Sequence, residues 1–218
     1  MKYNRQSGFT IIELMISTMI FSLILLILTT GVISFTRSYY RGITETSTQR
    51  IARVISDDIS QSIQSTSSFY SPLASQGGWN GFCIGTTGYA YTLGSQLVSS
   101  SPDVNKNQSL YGLIKGNAAG GCSSYNGQTL RDALLPGLTS SPSTSEEMLA
   151  PSMRLSNLSI VTINQTAGIY SVAVNVVYGD NDLLTNPTSI SPSCLSDSGS
   201  QFCAVSGLST VVQKRIQQ

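Results

Sequence analysis

The chain contains no histidine in its 218 residues. That removes Ser-His-Asp and Cys-His nucleophilic catalysis and every histidine-ligated metal site. Charge is also scarce. Only 11% of the residues are Asp, Glu, Lys or Arg, low for a cytosolic protein; Ser, Thr, Gly and Asn supply the polar surface instead. The 12 basic and 11 acidic side chains form no polybasic run, so a broad nucleic-acid-binding face has no support and no nucleic-acid partner is expected. Proline is absent before Pro72, which leaves the first third of the chain free of the strongest helix breaker.

What is present begins with one long apolar run. After the short polar opening MKYNRQSG, with Lys2 and Arg5, residues 9–35 are apolar apart from Ser, Thr and a single acid, Glu13. At about 1.5 Å per residue, a helix of about 20 residues crosses the hydrocarbon of a bilayer, so this run can span. Ordinary secretory signals end in a small-residue cleavage site after the apolar region. Here the text after it reads TRSYYRG, and the small residue, Gly8, stands before the run. Cleavage at Gly8 would keep the apolar helix as the mature N-terminus. Glu13 is the anomaly, because an acid at membrane depth costs about 2.5–3.5 kcal/mol and is by default functional.

The helix is expected to continue to about Ser65. Ile51, Val54, Ile55, Ile59 and Ile63 recur at spacings of three and four, one helical face. Gly31 and Gly42 are weak points, each costing up to roughly 1 kcal/mol relative to Ala. The exit falls at residues 65–68, before Pro72. Beyond it, residues 89–98, 110–116, 157–164, 169–179 and 209–216 read as strands, with Gln165–Gly168 as a hairpin turn. Tyr170, Val172, Val174, Val176 and Tyr178 share one face of their strand. Residues 99–108, 117–128, 136–145 and 185–201 read as loops. One antiparallel sheet packed on the amphipathic half of the helix would bury both apolar faces. The fold class is therefore α+β.

Four cysteines, Cys83, Cys122, Cys194 and Cys203, lack Cys-x-x-Cys spacing. An even number in a domain read as exported points to two disulfides. Three pairings are possible; Cys83–Cys122 with Cys194–Cys203 is favoured because each bond closes one modest loop. Asp180, Asn181 and Asp182 in YGDNDLL offer half of a calcium ligand set, but the distal bidentate Glu is missing, and a plain turn after a strand is the preferred reading; no metal and no cofactor are expected. Trp79 in GGWNGF is expected to pack beside Cys83. Tyr39 and Tyr40, flanked by Arg37 and Arg41, fit a membrane-interface belt. Asp57 and Asp58 are adjacent on a helix and diverge, so they form no catalytic pair, and no Ser or Cys has a base nearby. The chain is not expected to be an enzyme.

SGFTIIELMIS, with Gly8, the aromatic Phe9 and Glu13 five residues into the mature chain, resembles the prepilin cleavage and methylation motif of type IV pilin-like proteins, minor pilins and type II secretion pseudopilins among them. QFCAVSGLSTVVQKRI is similar, more weakly, to the closing segment of some minor pilins. The resemblance implies the pilin fold, divided into a leader (1–8), a transmembrane and filament-core part of the helix (9–35), its amphipathic half (36–68) and a β-sheet head (69–218). It implies a prepilin peptidase that cuts after Gly8 and N-methylates Phe9. Glu13 would face the N-terminal amine of a neighbouring subunit and set the register. Other pilins or pseudopilins, an inner-membrane assembly platform and, before assembly, membrane lipid are the implied partners. The implied location is the cytoplasmic membrane with the head outside the cytoplasm, then a cell-surface filament. Major pilins often carry a Pro late in the apolar run, where Thr29, Thr30 and Gly31 stand here, and the large head also leans toward a minor component. The preferred expectation is a minor pilin-like subunit with a role in assembly; the alternatives are a pilin-anchored adhesin or DNA-capturing tip, or a secretion pseudopilin.

Overall fold

The computed structural model describes residues 9–66, 70–118, 122–187, 189, 192–195 and 199–215, leaving aside the side chain of Val104. One helix, α1, runs from Ile11 to Ser65. The chain divides into two compact units, one up to Tyr40 and one from Arg41 onward. α1 is thus shared: its first part forms the first unit, and its second part belongs to the head.

Among the described residues the head carries twelve strands. In chain order they are β1 (Tyr70–Gln76), β2 (Trp79–Ile84), β3 (Thr87–Tyr91), β4 (Gln96–Leu97), β5 (Gln108–Ser109) and β6 (Leu113–Asn117). After a second helix, α2 (Gly127–Thr139), come β7 (Ser145–Glu147), β8 (Met153–Asn164), β9 (Ile169–Tyr178), β10 (Leu184–Thr185), β11 (Ser193–Cys194) and β12 (Ala204–Gln213). Two sheets dominate: a five-stranded one ordered β1-β2-β3-β6-β7 and a three-stranded one ordered β12-β9-β8. All their pairings are antiparallel. The α+β class expected from the sequence holds, but in place of the single expected sheet the described residues form these two and the two-stranded pairs β4-β5 and β10-β11.

The division has a physical cause. The five-stranded sheet is covered on both faces. Phe82, Ile84, Tyr89 and Leu113 join Ile55, Ile59 and Ile63 of α1 in the main core. The residues between them, Cys83, Ala90 and Ile114, turn the other way into a second core with Trp79 and with Leu130 and Leu134 of α2. Alternate side chains of a strand point to opposite faces, so strands buried on both sides lose the polar alternation. Phe82 stacks on its cross-strand partner Tyr89 at 4.7 Å between ring centroids. In β9, Tyr170, Val172, Val174 and Val176 face the α1 core and are fully or almost fully buried.

α2 corrects the expected loops at 117–128 and 136–145. Asn126 and Thr129 cap it reciprocally: the Thr129 N–H donates to Asn126 Oδ1 (2.9 Å) and the Asn126 N–H donates to Thr129 Oγ1 (2.8 Å). Leu130 and Leu134, one turn apart, are buried. Gly127 lets the helix approach β2, because a Cβ there would lie 2.2 Å from the Trp79 carbonyl oxygen. Pro136 lies within the last turn or so of α2, where it removes the N–H that would donate to the Asp132 carbonyl.

The remaining strand expectations shift. The strand expected at 89–98 is interrupted, β3 ending at Tyr91 and β4 restarting at Gln96. The strand at 157–164 begins earlier, at Met153. The last strand is Ala204–Gln213 instead of 209–216. The hairpin turn at 165–168 is present, with Gly168 at φ +62°. On α1, the buried face is Thr44, Thr48, Ala52, Ile55, Ser56, Ile59 and Ile63. Val54, expected on it, is 48% exposed, since at 100° per residue it points well away from the Ile55–Ile59–Ile63 stripe.

Candidate functional site: the N-terminal helix and what the head holds

Gly8 lies outside the described residues, and Phe9, the first of them, is exposed. Thr10 and Glu13 then form a closed local motif. The Glu13 N–H donates to Thr10 Oγ1 (3.3 Å), while the N–H and hydroxyl of Thr10 both donate to Glu13 Oε2 (3.0 Å each). The Leu14 N–H donates to the Thr10 carbonyl. This is the reciprocal arrangement of a capping box, in which a Thr and a Glu three residues apart satisfy otherwise orphaned helix N–H groups. The acid also sits at the positive end of the helix dipole. The signal was available in the sequence as T-I-I-E, but the apolar context makes Glu13 stand out alone. Only Oε2 is used in the cap; Oε1 takes no hydrogen bond among the described residues.

Five hydroxyls in the apolar part of α1 bond within the helix. The hydroxyls of Thr18, Ser22, Thr29 and Thr36 donate to backbone carbonyls three or four residues back, at 2.6–3.0 Å. Thr30 does the same. Back-bonding of this kind lets Ser and Thr sit in an apolar medium without loose donors. No side chain from Ile11 to Ile43 is buried within the chain, and the most apolar 18-residue window has a mean hydropathy of 2.6. Glu13 is the one charged group in residues 9–35, and it keeps acceptor capacity to offer a neighbour.

In the head, the structure joins Cys83 to Cys122 and Cys194 to Cys203, with Cα separations of 6.1 and 5.8 Å. The first bond ties β2 to the segment that enters α2. The second ties β11 to the start of β12, where Val177, Leu184 and Cys203 form a small third core. Trp79 is buried in the same cluster as Cys83, with the Arg131 guanidinium 5.3 Å from its ring centroid.

The weak calcium candidate gives way to a different reading. Arg154 is fully buried. Its guanidinium donates to the Gly179 carbonyl at 2.9 Å and to Asn181 Oδ1. Asp180 Oδ1 accepts from Gln96 Nε2 at 2.8 Å. Burial lowers the Arg154 pKa, opposed by the nearby Asp180 charge. Of the three candidate side chains, Asn181 thus bonds to an arginine of the chain itself and Asp180 to Gln96. Asp182 is exposed on the same turn. Sequence reading missed Arg154 because a lone Arg in a strand carries no motif.

Two more carboxylates hold the head together. Asp58 of α1 accepts the Tyr89 hydroxyl (2.7 Å) and pairs with Lys115 of β6. Burial raises the Tyr89 pKa, and burial together with Tyr70 pushes Tyr91 up to about 12. Glu147 accepts the backbone N–H groups of Gly112, Leu113 and Leu149 at 2.9–3.0 Å. Burial nonetheless raises its pKa, with these N–H groups opposing the shift. Both carboxylates are tied into local structure.

Residues 3–29 match the family model described as the prokaryotic N-terminal methylation motif, the prepilin leader signature of type IV pilins and pseudopilins. No curated protein and no solved structure matched the chain. The signature supports a type IV pilin-like or pseudopilin protein and implies processing by a prepilin peptidase and assembly with other pilins. With the apolar helix it fits membrane anchoring followed by a surface filament.

Proposed function

From a chain whose residues 3–29 carry the prepilin leader signature, we propose a minor pilin-like structural subunit of a type IV pilus or related envelope-spanning filament, with a role in filament assembly. Prepilin peptidase removes residues 1–8 after Gly8 and N-methylates Phe9. The protein waits in the cytoplasmic membrane with its head outside the cytoplasm until the assembly platform extracts it into the filament. The observation that carries this reading is the capped N-terminus of α1. Glu13 sits at the start of a helix that buries no side chain from Ile11 to Ile43, and its Oε1 remains available. A neighbour's N-terminal amine is the complementary charge, and in a bundle of apolar helices that pair would fix axial register. The reading is non-enzymatic, with Glu13 as a docking group. The scarcity of charge on the three-stranded sheet, where Arg154 is the only charged residue of three strands and is buried, supports a structural subunit over DNA capture.

Intact-mass analysis of the native protein tests the processing: the mature chain should start at Phe9 and carry about 14 Da for one methyl group. A mature terminus after residue 35 would refute the proposal. Glu13→Ala tests the docking. It should insert into the membrane at least as well as the parent, because a charge leaves an apolar helix. It should co-fractionate poorly with sheared filaments, because leaving the neighbour's charge buried without a partner costs about 3–5 kcal/mol. Normal incorporation at normal membrane levels would leave Glu13 only its capping role.

A further inference from the structure

The two main sheets of the head present four outer edges, and three of them are guarded against pairing with another strand. β1 carries Pro72 and a register shift between Leu73 and Gln76. β7 is three residues long and holds Glu146 and Glu147. β8 has register shifts at Leu155/Asn157 and Thr162/Asn164, and its first half is partly covered, the Gly94 N–H donating to the Leu155 carbonyl at 2.8 Å. Proline, bulges, shortness, charge and cover are the usual means by which edge strands avoid unwanted pairing.

Apart from its start, where Ala204 and Val205 share a cavity wall with Cys194 and Leu195, β12 uses none of them. Its sequence, AVSGLSTVVQ, has no charge and no proline. It pairs with β9 through ten residues in unbroken register. Among the described residues, no other backbone hydrogen bond reaches 204–213. Every second residue therefore turns its N–H and C=O away from the sheet, with no partner among the described residues. Val205 and Val211 are 42% and 64% exposed beside this ladder.

We propose that β12 is a docking edge that takes an extended, uncharged strand from the head of a different subunit of the filament. The inference rests on the filament-subunit reading above. A second copy of this chain fits less well. Two β12 strands paired symmetrically would be antiparallel, with a two-fold axis normal to the sheet. That axis reverses every direction lying along the sheet, including the Arg41–Ser65 stretch of α1 packed on it. Two chains so related would hold these helix stretches antiparallel. The other free edge of a second copy, β8, is twice bulged and partly covered. A different subunit with a straight edge has neither obstacle. Main-chain bonds would supply the attraction, as in other strand additions. The small side chains of Gly207 and Ser209 would admit the incoming strand, and Val205 and Val211 would pack against its apolar residues.

The test places a photoreactive benzoylphenylalanine at Val211, and separately at Ala74 on the guarded β1 edge, in the full chain in cells that make filaments. Irradiation should join the Val211 probe to a different chain that itself carries a methylated N-terminus left by leader removal. Ala74 should give no such adduct. The pair of substitutions Ser209→Lys and Val211→Lys should prevent strand docking, with the adduct then scored from a probe at Val205. The adduct should vanish while leader removal and the Cys194–Cys203 bond persist, which shows that the head still folds. An adduct with a second copy, equal adducts from Ala74, or none from processed protein within filaments would overturn the docking edge and leave the subunit reading intact. A protein neither cleaved nor found in filaments would overturn both.

Discussion

The two parts of α1 share one backbone and differ in what completes them. From Ile11 to Ile43 no side chain is buried, and the hydroxyls of Ser22, Thr29 and Thr36 bond to the helix's own backbone. From Thr44 to Ile63 seven residues are buried on one face, and Thr44, Asp58 and Ser62 bond to other segments of the head. A helix that is apolar all round is finished by a membrane or by other helices, whereas an amphipathic one is finished by its own domain. The head should therefore fold on the strength of residues 41–215, and changes in the apolar part should be felt in the membrane or the filament.

An acid placed in each part should break the comparison most sharply. Ile59→Asp removes a fully buried side chain and buries an unpaired carboxylate, which together should cost more than about 5 kcal/mol, of the order of a domain's whole stability. The head should then fail to fold, seen as loss of cooperative thermal unfolding in detergent. Ile24→Asp should leave the head's melting temperature unchanged and instead impair membrane insertion, by about 2.5–3.5 kcal/mol. Equal loss of head stability in both variants would show that the two parts fold as one.

Next come the disulfides. They belong wholly to the head, so their loss should leave membrane insertion untouched. Cys83 and Cys122 are 39 positions apart, and Cys194 and Cys203 are 9 apart. Loop-closure entropy assigns about 4 kcal/mol to the first bond and about 2.7 kcal/mol to the second. Paired Cys→Ser variants, compared by denaturant unfolding, should rank in that order. The reverse ranking would mean that local packing around Val177 and Leu184 outweighs chain entropy.

The legibility of the molecule follows the same boundary. The apolar part of α1 and the leader signature were readable because solvent chemistry is written directly into composition: a single acid in residues 9–35 leaves few alternatives. The valine alternation of β9 was readable because one of its faces stays partly open. In the five-stranded sheet β3 and β6 were readable in outline, but β2 was not, because Phe82, Cys83 and Ile84 are all buried and successive residues look alike. α2 was hidden behind Gly127, Pro136 and Gly137, residues that ordinarily mark loops; here Gly127 permits contact with the Trp79 carbonyl. Arg154 and its loop of carbonyl oxygens come together from residues 25 or more apart, which no local pattern reports.

Glu147 gives a smaller, pH-dependent effect that should again be confined to the head. Replacement by Gln keeps the shape but sets an NH2 against one of three backbone donors, costing about 1–3 kcal/mol for the orphaned group. Burial raises the Glu147 pKa. The folded chain therefore binds this proton more tightly than the unfolded one. Its contribution is complete below the ordinary glutamate range and declines as pH rises through the raised value. The stability advantage of the parent over Glu147→Gln should grow as pH is lowered from 7 toward 4. An advantage that shrinks would mean that the three N–H groups outweigh burial.

The smallest effect concerns the polar link between the second part of α1 and the five-stranded sheet. Lys115 and Asp58 retain 27% and 21% of their side-chain exposure, so water screens the pair and its worth is about 0–1 kcal/mol. A double-mutant cycle of Asp58→Ala and Lys115→Ala should return a coupling in that range, and added salt should reduce it. Tyr89→Phe should cost somewhat more, about 0.5–1.5 kcal/mol, because its hydroxyl bonds both Asp58 and Ser62 in a buried setting. Glu13 is the matching acid in the apolar part. Its bonds are to Thr10, so Glu13→Ala should show no coupling to Lys115 and no change in head stability at any salt concentration. A coupling well above about 1 kcal/mol for the Asp58 pair, insensitive to salt, would mean that the pair is desolvated, and that the second part of α1 is held to the sheet by charge as much as by Ile55, Ile59 and Ile63.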